Sequence, residues 1–361
     1  MTQENRTDLL SLSYTELEEF ISSLGEAKYR TSQLASQMYK GVELSEISSL
    51  SKGLRDKISE HAFYFIPSVV KKLTSRIDGT VKYLFGLADG NCVESVVMQY
   101  EHGLTICISS QVGCRMGCRF CASTIDGKVR DLAVSELLGQ IIAAERDLGK
   151  RISNVVMMGI GEPLDNYDNV LKFLDIVSSE KGLGIGQRHI SLSTCGLADK
   201  IRLLADRDLQ ITLSVSLHAA DDETRSEIMP VNKKWSINEL LDACRYYFNK
   251  TNRRISFEYT LISGKNDSVA AAVRLADLLN GKLRSKHDTM PIHVNLIPVN
   301  EVKQRDFVRS DRQAVAAFAA TLKKHGINAT VRRKLGSDIN ASCGQLRRDE
   351  IKGEEDTERP E

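Results

Sequence analysis

Three cysteines, Cys114, Cys118 and Cys121, stand close together in the run Gly-Cys-Arg-Met-Gly-Cys-Arg-Phe-Cys, with C-x3-C-x2-C spacing. Three thiolates can hold a four-iron cluster and leave one iron without a protein ligand. A structural zinc site normally closes its tetrahedron with a fourth Cys or His, and the run itself contains no fourth ligand. The spacing therefore favours an iron-sulfur cluster, with a zinc site or buried thiols as the alternative.

Two further cysteines stand in unusual surroundings. Cys107 lies on a strand-like stretch before the cysteine run, and Cys343 lies in a loop of small residues after the last predicted strand. A buried, inert thiol is the ordinary explanation for each, although a cysteine in such a loop is harder to place in a core. Glu94 interrupts an apolar strand-like stretch and could simply face solvent. The remaining cysteines are interpreted as structural: Cys92, Cys195 and Cys244.

Small polar residues and glycines recur where predicted strands end. Gly161 would let the backbone approach a ligand closely, and Glu162 beside it could accept a hydrogen bond from an ammonium group. Ser193 ends a third strand, and Ser216 and His218 end a fourth. Each motif alone is more often a simple turn or a structural histidine. Their repetition at one edge of a sheet predicts a site for a polar nucleoside.

The composition is that of a soluble protein with more than one domain. The chain has 361 residues, of which 42% are hydrophobic and 27% are charged, and no apolar run is long enough to cross a bilayer. It begins without an apolar signal segment, so we expect a cytoplasmic location and no membrane contact. Eight cysteines in such a chain indicate reduced thiols, metal or redox chemistry in place of a disulfide framework.

The net charge of +1 conceals an uneven distribution. Residues 349–361 carry seven acidic and two basic side chains, a balance of −5, and the rest of the chain therefore carries +6. We expect residues 349–361 to be a disordered acidic tail. The basic excess elsewhere is only weak support for a polyanionic partner, because solvated surface charge is the simpler explanation.

The periodicity of the apolar residues predicts the elements that position these groups. Residues 1–80 are predicted to form a small helical unit, because apolar residues recur at helical intervals from Leu9 to Leu24. Between 81 and 102 the period changes towards two, which predicts a β-hairpin linker. Six strand-helix units follow between 103 and 335, and they predict an α/β fold with a partial (β/α)6 barrel. Residues 336–348 contain the Cys343 loop.

The cysteine run lies just past the end of the first barrel strand, where the reactive groups of a parallel barrel collect. The six predicted strands are Leu104 to Ile108, Asn154 to Met158, His189 to Ser193, Gln210 to Leu217, Ile255 to Ile262 and His293 to Pro298. Location and spacing therefore agree on one site at the mouth of the barrel.

Several motifs together resemble the radical S-adenosylmethionine (SAM) superfamily, and within it the RNA adenine methyltransferase branch, the RlmN and Cfr group. The stretches that carry the resemblance are Cys107 to Cys114, Met157 to Leu164, Ser214 to Ala219, Ile228 to Lys234, Val294 to Pro298 and Ala341 to Gln345. The N-terminal helical segment resembles the same branch, so the likeness covers nearly the whole chain. This combination is far more specific than the three-cysteine motif alone.

The resemblance implies a partial barrel of the radical SAM type and a defined set of cofactors. Cys114, Cys118 and Cys121 would hold one [4Fe-4S] cluster, whose open iron binds the amino and carboxylate groups of SAM. One electron, from a donor such as flavodoxin, would then cleave the sulfonium. The positions that match the family's SAM contacts are Gly161, Glu162, Ser193, Ser216, Leu217, His218 and Asn295.

The resemblance also implies catalytic roles for residues outside the cluster motif. Cys343 resembles the cysteine that is methylated by one SAM, and the 5′-deoxyadenosyl radical from a second SAM abstracts hydrogen from that methyl group. The resulting carbon radical adds to the adenine. Cys107 would resolve the protein-RNA adduct by forming a transient disulfide with Cys343, and Glu94 matches the family's proton acceptor.

By resemblance the partners are 23S rRNA, methylated at C2 of adenosine 2503, and some tRNAs, methylated at adenosine 37. Both bases must be unstacked to reach a barrel mouth. The Ser-Ser-Gln-Val-Gly-Cys-Arg run and the N-terminal segment favour this C2 subgroup, with C8 methylation of the same rRNA adenosine, as in the Cfr subgroup, as the alternative. A zinc-stabilised RNA-binding module without catalysis is a remote alternative. We expect the protein to be a monomer.

Overall fold

The computed structural model describes residues 6–285, 288–300, 302, 304–339 and 346–347. Within these residues a small helical unit precedes a ten-stranded sheet, most of whose strands are parallel and connected by helices. One continuous apolar core joins the helical unit to the sheet. The predicted α/β class, with successive parallel strands behind a small helical unit, is confirmed.

The helical unit consists of α1 (Tyr14–Ser23), α2 (Tyr29–Met38) and α3 (Lys52–His61). A capping box starts α1: the Ser13 hydroxyl accepts from the main-chain NH of Glu16, and the NH of Ser13 donates to the Glu16 carboxylate. Two short parallel strands, β1 (Thr7–Asp8) and β2 (Ala62–Phe63), bring the two ends of the unit together. The helical unit therefore closes at its own ends.

Beyond the helical unit the chain turns into strands, including part of the range predicted as helical up to residue 80. The four strands β3 (Ser68–Thr74), β4 (Val81–Gly86), β5 (Cys92–Tyr100) and β6 (Gly103–Cys107) pair antiparallel in sequence order. β3 is almost entirely solvent-exposed, so its side chains form no buried face, and its pairing with β4 determines its conformation. Residues 81–102 thus belong to the main sheet.

The cysteine run is framed by a separate two-stranded sheet. β7 (Gln111–Gly113) precedes the run and pairs antiparallel with β8 (Lys128–Asp131), which follows it. This pairing holds both ends of the connecting loop together. The loop therefore begins and ends at one place on the molecule.

Parallel pairing begins at β6 and continues to the far edge of the main sheet. Its further strands are β9 (Ile152–Met157), β10 (Ile190–Thr194), β11 (Thr212–Ser216), β12 (Ile255–Leu261), β15 (Ile292–Pro298) and β16 (Asn328–Val331). Two short antiparallel strands, β13 (Arg284–Ser285) and β14 (Asp288–Thr289), precede β15. The six predicted barrel strands are therefore present, and β16 adds a seventh parallel strand. Its residues are mostly exposed, so their pattern did not predict a strand.

Each parallel connection requires a crossover, and helices provide it. The helices after β8 are α4 (Val134–Leu148), α5 (Tyr167–Ser178), α6 (Ala198–Ala205), α7 (Asp222–Ile228), α8 (Ile237–Thr251), α9 (Val269–Leu283) and α10 (Arg312–Lys324). Side-chain N-caps fix the start of several: Asp221, Ser236, Ser268 and Asp311 each accept from a main-chain NH one turn on. None of the helices in the described ranges is both long and apolar enough to span a membrane.

Candidate active site

A cavity of about 210 Å³ lies at the C-terminal ends of the parallel strands. All three cysteines of the run line it, and so do five of the seven predicted SAM contacts. These lining residues are Cys114, Cys118, Cys121, Gly161, Glu162, Ser193, Ser216 and His218. Residues from distant parts of the chain thus meet around one open cavity, because parallel strands end at the same edge of a sheet.

The cysteine loop depends on a glycine where β7 ends. Gly113 has a φ of +76°, and a Cβ atom there would lie 1.9 Å from the carbonyl oxygen of Gly127. The same carbonyl accepts from the NH of Cys114 at 2.8 Å. The loop is tied further by the Thr124 hydroxyl, which donates to the carbonyl oxygens of Cys118 at 2.9 Å and Cys121 at 3.0 Å. In each of these contacts the cysteine takes part through its main chain and not through its thiol.

Burial keeps the metal-free thiols protonated. It raises the pKa of Cys114 to about 12 and raises that of Cys118 well above its ordinary value. A metal bound by these thiols would displace their protons, because the thiolate is the ligand. Metal binding at this site would therefore release protons.

The donor set fits an iron-sulfur cluster better than a single ion. Three soft thiol ligands line one side of the cavity, with open space beyond them for a fourth ligand that is not protein. Within the described residues, no three or more His, Cys, Asp or Glu side chains, the three cysteines included, are grouped closely enough to hold a single metal ion. The number and type of the ligands, and not their present spacing, therefore favour a cluster over zinc.

Glu162 is a buried acid whose carboxylate is partly engaged by the protein. One oxygen accepts from the NH of Leu164 at 3.0 Å and the other from the NH of Cys195 at 2.7 Å. Burial raises the pKa of Glu162, while the Cys195 NH acts in the opposite direction. The side chains of Thr194 and Cys195 also donate to this carboxylate, so protein donors surround it at the cavity wall.

Gly161 lines the cavity, and it also allows the turn that contains it to pack against Gln111. Its φ is +105°, and a Cβ atom there would lie 2.6 Å from the Cβ of Gln111. The side-chain oxygen of Gln111 in turn accepts from the NH of Glu162 at 2.8 Å. The glycine therefore lets this turn pack directly on β7, and the turn presents Glu162 to the cavity.

His218 is neutral and has a defined tautomer. Its Nδ1 accepts from the NH of Thr260 at 2.9 Å, so the ring proton resides on Nε2, which is a hydrogen-bond donor. Burial lowers the pKa of His218 to about 3, with a smaller contribution from the positive charge of Arg225. The ring stands edge-on to Phe120, with centroids 4.9 Å apart. The residue therefore offers the cavity a fixed neutral donor.

The remaining predicted SAM contacts differ in their placement. Ser193 and Ser216 line the cavity at the ends of β10 and β11. Leu217 is fully buried, and its main-chain NH donates to the carbonyl oxygen of Glu258 at 3.0 Å. Asn295 donates from Nδ2 to the carboxylate of Glu258 at 2.7 Å. Leu217 and Asn295 are therefore both hydrogen-bonded to Glu258.

Two buried charged residues of this region were not predicted from the sequence. Glu258 is 3% exposed and lines the cavity from β12. Arg225 is fully buried, and its guanidinium donates to the carbonyl oxygens of Cys195, Ser216 and Leu217. It thereby ties the ends of β10 and β11 together. A charge within an apolar stretch could have pointed to Glu258, whereas Arg225 stands in a polar, acidic run and carries no such signal.

A larger cavity of about 550 Å³ adjoins the first. Both cavities share the wall residues Phe120, Cys121, Met158, Thr260, Ile297 and Arg332. Basic side chains also line the larger cavity: Arg309, Arg332, Arg333 and Lys334. The space beside the cysteines thus continues into a wider region with a positive rim.

Cys107 lines the larger cavity from the end of β6. It is buried and packs with Val96 and Met98 in a small apolar cluster. Cys343, its expected disulfide partner, lies outside the described residues. The chain on either side of the Cys343 loop is described, however, and both sides are anchored.

The anchor before the Cys343 loop is the turn between β3 and β4. Asp338 accepts from the Ser75 hydroxyl at 2.7 Å and from the NH of Arg76 at 2.9 Å. In return, Asp78 accepts from the NH of Gly336 at 2.8 Å. Two aspartates thus bind the turn and the chain after β16 to each other.

The anchor after the Cys343 loop is Glu94. This residue is fully buried in β5, where one carboxylate oxygen accepts from the NH of Arg347 at 2.7 Å and the other lies 3.1 Å from the ammonium of Lys82. Glu94 therefore does not face solvent. Its observed contacts hold the chain four residues past Cys343.

Comparisons with known proteins cover both parts of the chain. A family model described as "Radical SAM superfamily" matches residues 108–276, and one described as "Ribosomal RNA large subunit methyltransferase N-terminal domain" matches residues 7–63. The second match coincides with the helical unit.

Curated relatives match nearly the full chain. A protein of Clostridium perfringens (strain 13 / Type A) named "Probable dual-specificity RNA methyltransferase RlmN" is 51% identical over 96% of this chain and 98% of its own length. A protein of the same name from Alkaliphilus oremlandii (strain OhILAs) is 53% identical over 95% and 98%. The crystal structure of a radical SAM methyltransferase from Sphaerobacter thermophilus matches with a TM-score of 0.87 and 39% identity, covering 94% of this chain and 98% of that one.

Proposed function

The chain belongs to the RlmN family of radical SAM RNA methyltransferases, and from that premise we propose that it methylates C2 of adenosine 2503 in 23S rRNA and of adenosine 37 in some tRNAs. The methyl group travels on Cys343. One observation carries this proposal: the cavity lined by the three cysteines shares a wall with the larger cavity that contains Cys107 and a basic rim.

In this proposal the smaller cavity is the cofactor site. Cys114, Cys118 and Cys121 hold a [4Fe-4S] cluster, which together with SAM supplies the carbon radical that an unreactive aromatic C-H position requires. Glu162 lines this cavity and accepts from the SAM ammonium group. The Nε2-H of His218 and the hydroxyls of Ser193 and Ser216 orient the remainder of SAM. Gly161 leaves the backbone room to approach.

The larger cavity is proposed to receive the target adenosine. Its volume of about 550 Å³ suits an unstacked base, and the basic side chains at Arg309, Arg332, Arg333 and Lys334 suit RNA phosphates. Cys107 lies in its wall. In the release step the Cys107 sulfur attacks Sγ of Cys343, the carbon–sulfur bond of the adduct breaks, and the freed carbon takes up a proton to become the methyl group, while the two cysteines form a disulfide.

Glu94 is proposed to be the proton acceptor, because it matches the position of that residue in the family. Its contacts bear on how it would act. Its carboxylate is already bound to Lys82 and to the NH of Arg347. Protonation of Glu94 would weaken its attraction to both partners, which links the step to the segment that follows the Cys343 loop.

The decisive experiment is anaerobic reconstitution with iron and sulfide, followed by incubation with 23S rRNA or tRNA fragments and methyl-labelled SAM. In this assay a chemical reductant supplies the electrons. We propose that a flavodoxin-type protein supplies them in the cytoplasm. The enzyme is expected to act as a monomer. Nuclease digestion and mass spectrometry should yield 2-methyladenosine. Formation of 8-methyladenosine would favour the alternative C8 activity, and stoichiometric zinc without iron would favour the non-catalytic module.

A further inference from the structure

Asp165 is an acid that binds the cysteine run and stands on the same turn as Glu162. The turn is a short 3-10 helix, Pro163–Asp165, and Glu162 is the residue before it. The NH of Asp165 donates to the carbonyl oxygen of Glu162 at 3.0 Å, and the NH of Leu164 donates to the Glu162 carboxylate. These bonds within one turn fix Asp165 and Glu162 relative to each other.

The Asp165 carboxylate accepts from three side chains around the cysteine run. One oxygen accepts from the guanidinium of Arg115, which stands between the first two cysteines. The other oxygen accepts from the ammonium of Lys128 on β8 at 3.0 Å and from Nε2 of Gln111 on β7 at 2.9 Å. The Asp165 side chain is 5% exposed, although that of Arg115 is 65% exposed. Asp165 therefore joins the cysteine run, and both strands that enclose it, to the turn of Glu162.

Gln111 adds a second link between the same elements. Its Oε1 accepts from the NH of Glu162 at 2.8 Å, and its Nε2 donates to Asp131 at 2.7 Å as well as to Asp165. Burial raises the pKa of Asp165, but the hydrogen bonds from Arg115 and the other two donors outweigh burial and hold that pKa below its ordinary value. The carboxylate is therefore charged at neutral pH.

The cysteine run and Glu162 come from different parts of the chain but serve one proposed ligand. The run follows β7, whereas Glu162 follows β9. In the proposed cofactor site, the open iron held by the cysteines and the Glu162 carboxylate both contact the amino group of SAM. Groups that share a ligand must be held within about 0.5 Å of the productive geometry by hydrogen bonds behind them. The contacts of Asp165 supply such support on the side away from the cavity.

We propose that Asp165 is a positioning residue that sets the distance between the cysteine ligands and Glu162, and thereby the fit of the amino acid group of SAM. Asp165 belongs to neither cavity lining, so it acts through Arg115 and through its own turn. This inference rests on the proposed function in taking a cluster and SAM as the ligands of the smaller cavity.

Asp165→Asn is the test variant, because asparagine offers a single acceptor oxygen and would turn its NH2 group towards a donor. The reconstituted full chain should keep iron and sulfide near the wild-type content, since all three cysteines remain. Its affinity for SAM, measured by equilibrium dialysis, should fall about tenfold, because the charge-assisted hydrogen bond at Glu162 is misaligned. SAM should also change the electron paramagnetic resonance spectrum of the reduced cluster less than in the wild type.

A second measurement uses the metal-free full chain and needs neither SAM nor RNA. Hydrogen exchange of the amides in residues 114–121 should be faster in Asp165→Asn than in the wild type, because the loop has lost a tie. Arg115→Gln removes only the link to the cysteine run, and it should give the same effects on exchange and on SAM affinity. It replaces Asp165→Asn as the test of SAM affinity if that variant fails to bind iron. Combining the two substitutions should add little to either one alone, since they break the same contact.

Asp131→Asn is the matched control. Asp131 shares the donors Gln111 and Lys128 with Asp165, but both donors contact the same oxygen, and asparagine can retain that acceptor. Its SAM affinity and loop exchange should equal those of the wild type. Equal effects of Asp131→Asn and Asp165→Asn would overturn the inference. Wild-type SAM affinity in an iron-containing Asp165→Asn protein, or wild-type exchange in its metal-free form, would overturn it as well.

Failure of this inference is separable from failure of the proposed function. Faster loop exchange and weaker SAM binding in Asp165→Asn, without RNA methylation by the wild type, would support the role of Asp165 and contradict the methyltransferase proposal. Formation of 2-methyladenosine by the wild type, together with wild-type SAM affinity in Asp165→Asn, would do the reverse.

Discussion

The Lys82 ammonium and the Glu94 carboxylate meet diagonally across β4 and β5, 3.1 Å apart, with side chains that are 1% and 0% exposed. Charges this deeply buried are tolerated only as a pair, because each compensates the desolvation of the other. The pair also fixes the carboxylate that receives the NH of Arg347. Its integrity therefore affects both stability and the anchoring of the Cys343 loop.

Lys82→Met should lower the free energy of unfolding by about 3–5 kcal/mol, because it leaves the Glu94 carboxylate buried without its cation. Adding Glu94→Gln should restore much of that loss. Equilibrium urea unfolding of the full chain measures both effects. The control is Lys265→Met, which breaks a half-exposed pair with Glu227 and should cost no more than about 1 kcal/mol. Equal losses at the two sites would contradict the buried-pair argument.

Gly113→Ala should prevent the cysteine loop from closing. The added Cβ would collide with the carbonyl oxygen of Gly127 at 1.9 Å, which is the acceptor for the NH of Cys114. Gly127→Ala has a similar positive φ of +71° but nothing within 4 Å, so it should carry only the conformational cost of about 1–2 kcal/mol. Iron and sulfide content after reconstitution should fall sharply in the first variant and little in the second. Similar iron contents in both variants would count against the proposed loop geometry.

The protein should lose stability between pH 6.5 and pH 3 through His218. An unfolded histidine has a pKa of about 6.5, whereas burial lowers the folded pKa of His218 to about 3. Below pH 6.5 the unfolded chain binds a proton that the folded chain does not, so stability falls as pH falls, by up to about 1.4 kcal/mol per pH unit.

His218→Asn should remove this contribution. The asparagine side-chain oxygen can accept from the NH of Thr260, and asparagine tolerates the φ of +58° found at this position. Urea unfolding at pH 7.5, 6.5 and 5.5 gives the slope for each protein. Identical slopes in the wild type and the variant would show that His218 is not held neutral.

Cys343 and Cys107 are both proposed to act in methyl transfer, and replacing one or the other should give different products. Cys343→Ala should abolish RNA methylation, because the methyl carrier is removed. Cys107→Ala should instead accumulate a covalent protein-RNA adduct, since the disulfide that releases it cannot form. Denaturing gel electrophoresis with labelled RNA detects the adduct.

The control for this pair is Cys92→Ala, a half-buried cysteine outside both cavity linings, which should retain activity. Full methylation by Cys343→Ala would rule out the methyl-cysteine route.

Sequence patterns predicted the parts of this fold whose residues repeat regularly. The six strands from Leu104 to Pro298 and most intervening helices carry continuous apolar faces, and these faces also form the core. β16 was missed because its exposed residues lack such a face, and β3 because pairing with β4, not its own pattern, makes it a strand. Hydrogen-bond partners that lie far apart in sequence have no periodic signature.

The same contrast holds for the candidate site: features set by neighbouring residues in the sequence were predicted, and features set by residues far apart in the sequence were not. Cysteine spacing is a local property, and it located the three thiols that line the cavity. Glu258 stands between Phe257 and Tyr259, where it resembles any polar residue of a strand, and only the approach of Asn295 and Leu217 distinguishes it. Arg225 is similar, since three of its acceptors are main-chain carbonyl oxygens whose positions no residue type encodes, and the fourth is the side chain of Asn232.

The contacts of Asp78 with Gly336 and of Asp338 with Ser75 and Arg76 join the two opposite edges of the ten-stranded sheet. β3 and β16 are its outermost strands, yet the turn after β3 touches the chain after β16. The barrel is thus fastened at a seam by side chains instead of a strand ladder. Thr80 and Gly336 both border the larger cavity at this seam. Opening the wall there would break these three hydrogen bonds and the packing of Leu335, yet it would leave every strand pairing of the described sheet intact, so the cavity can widen for a bulky guest without separating any strands.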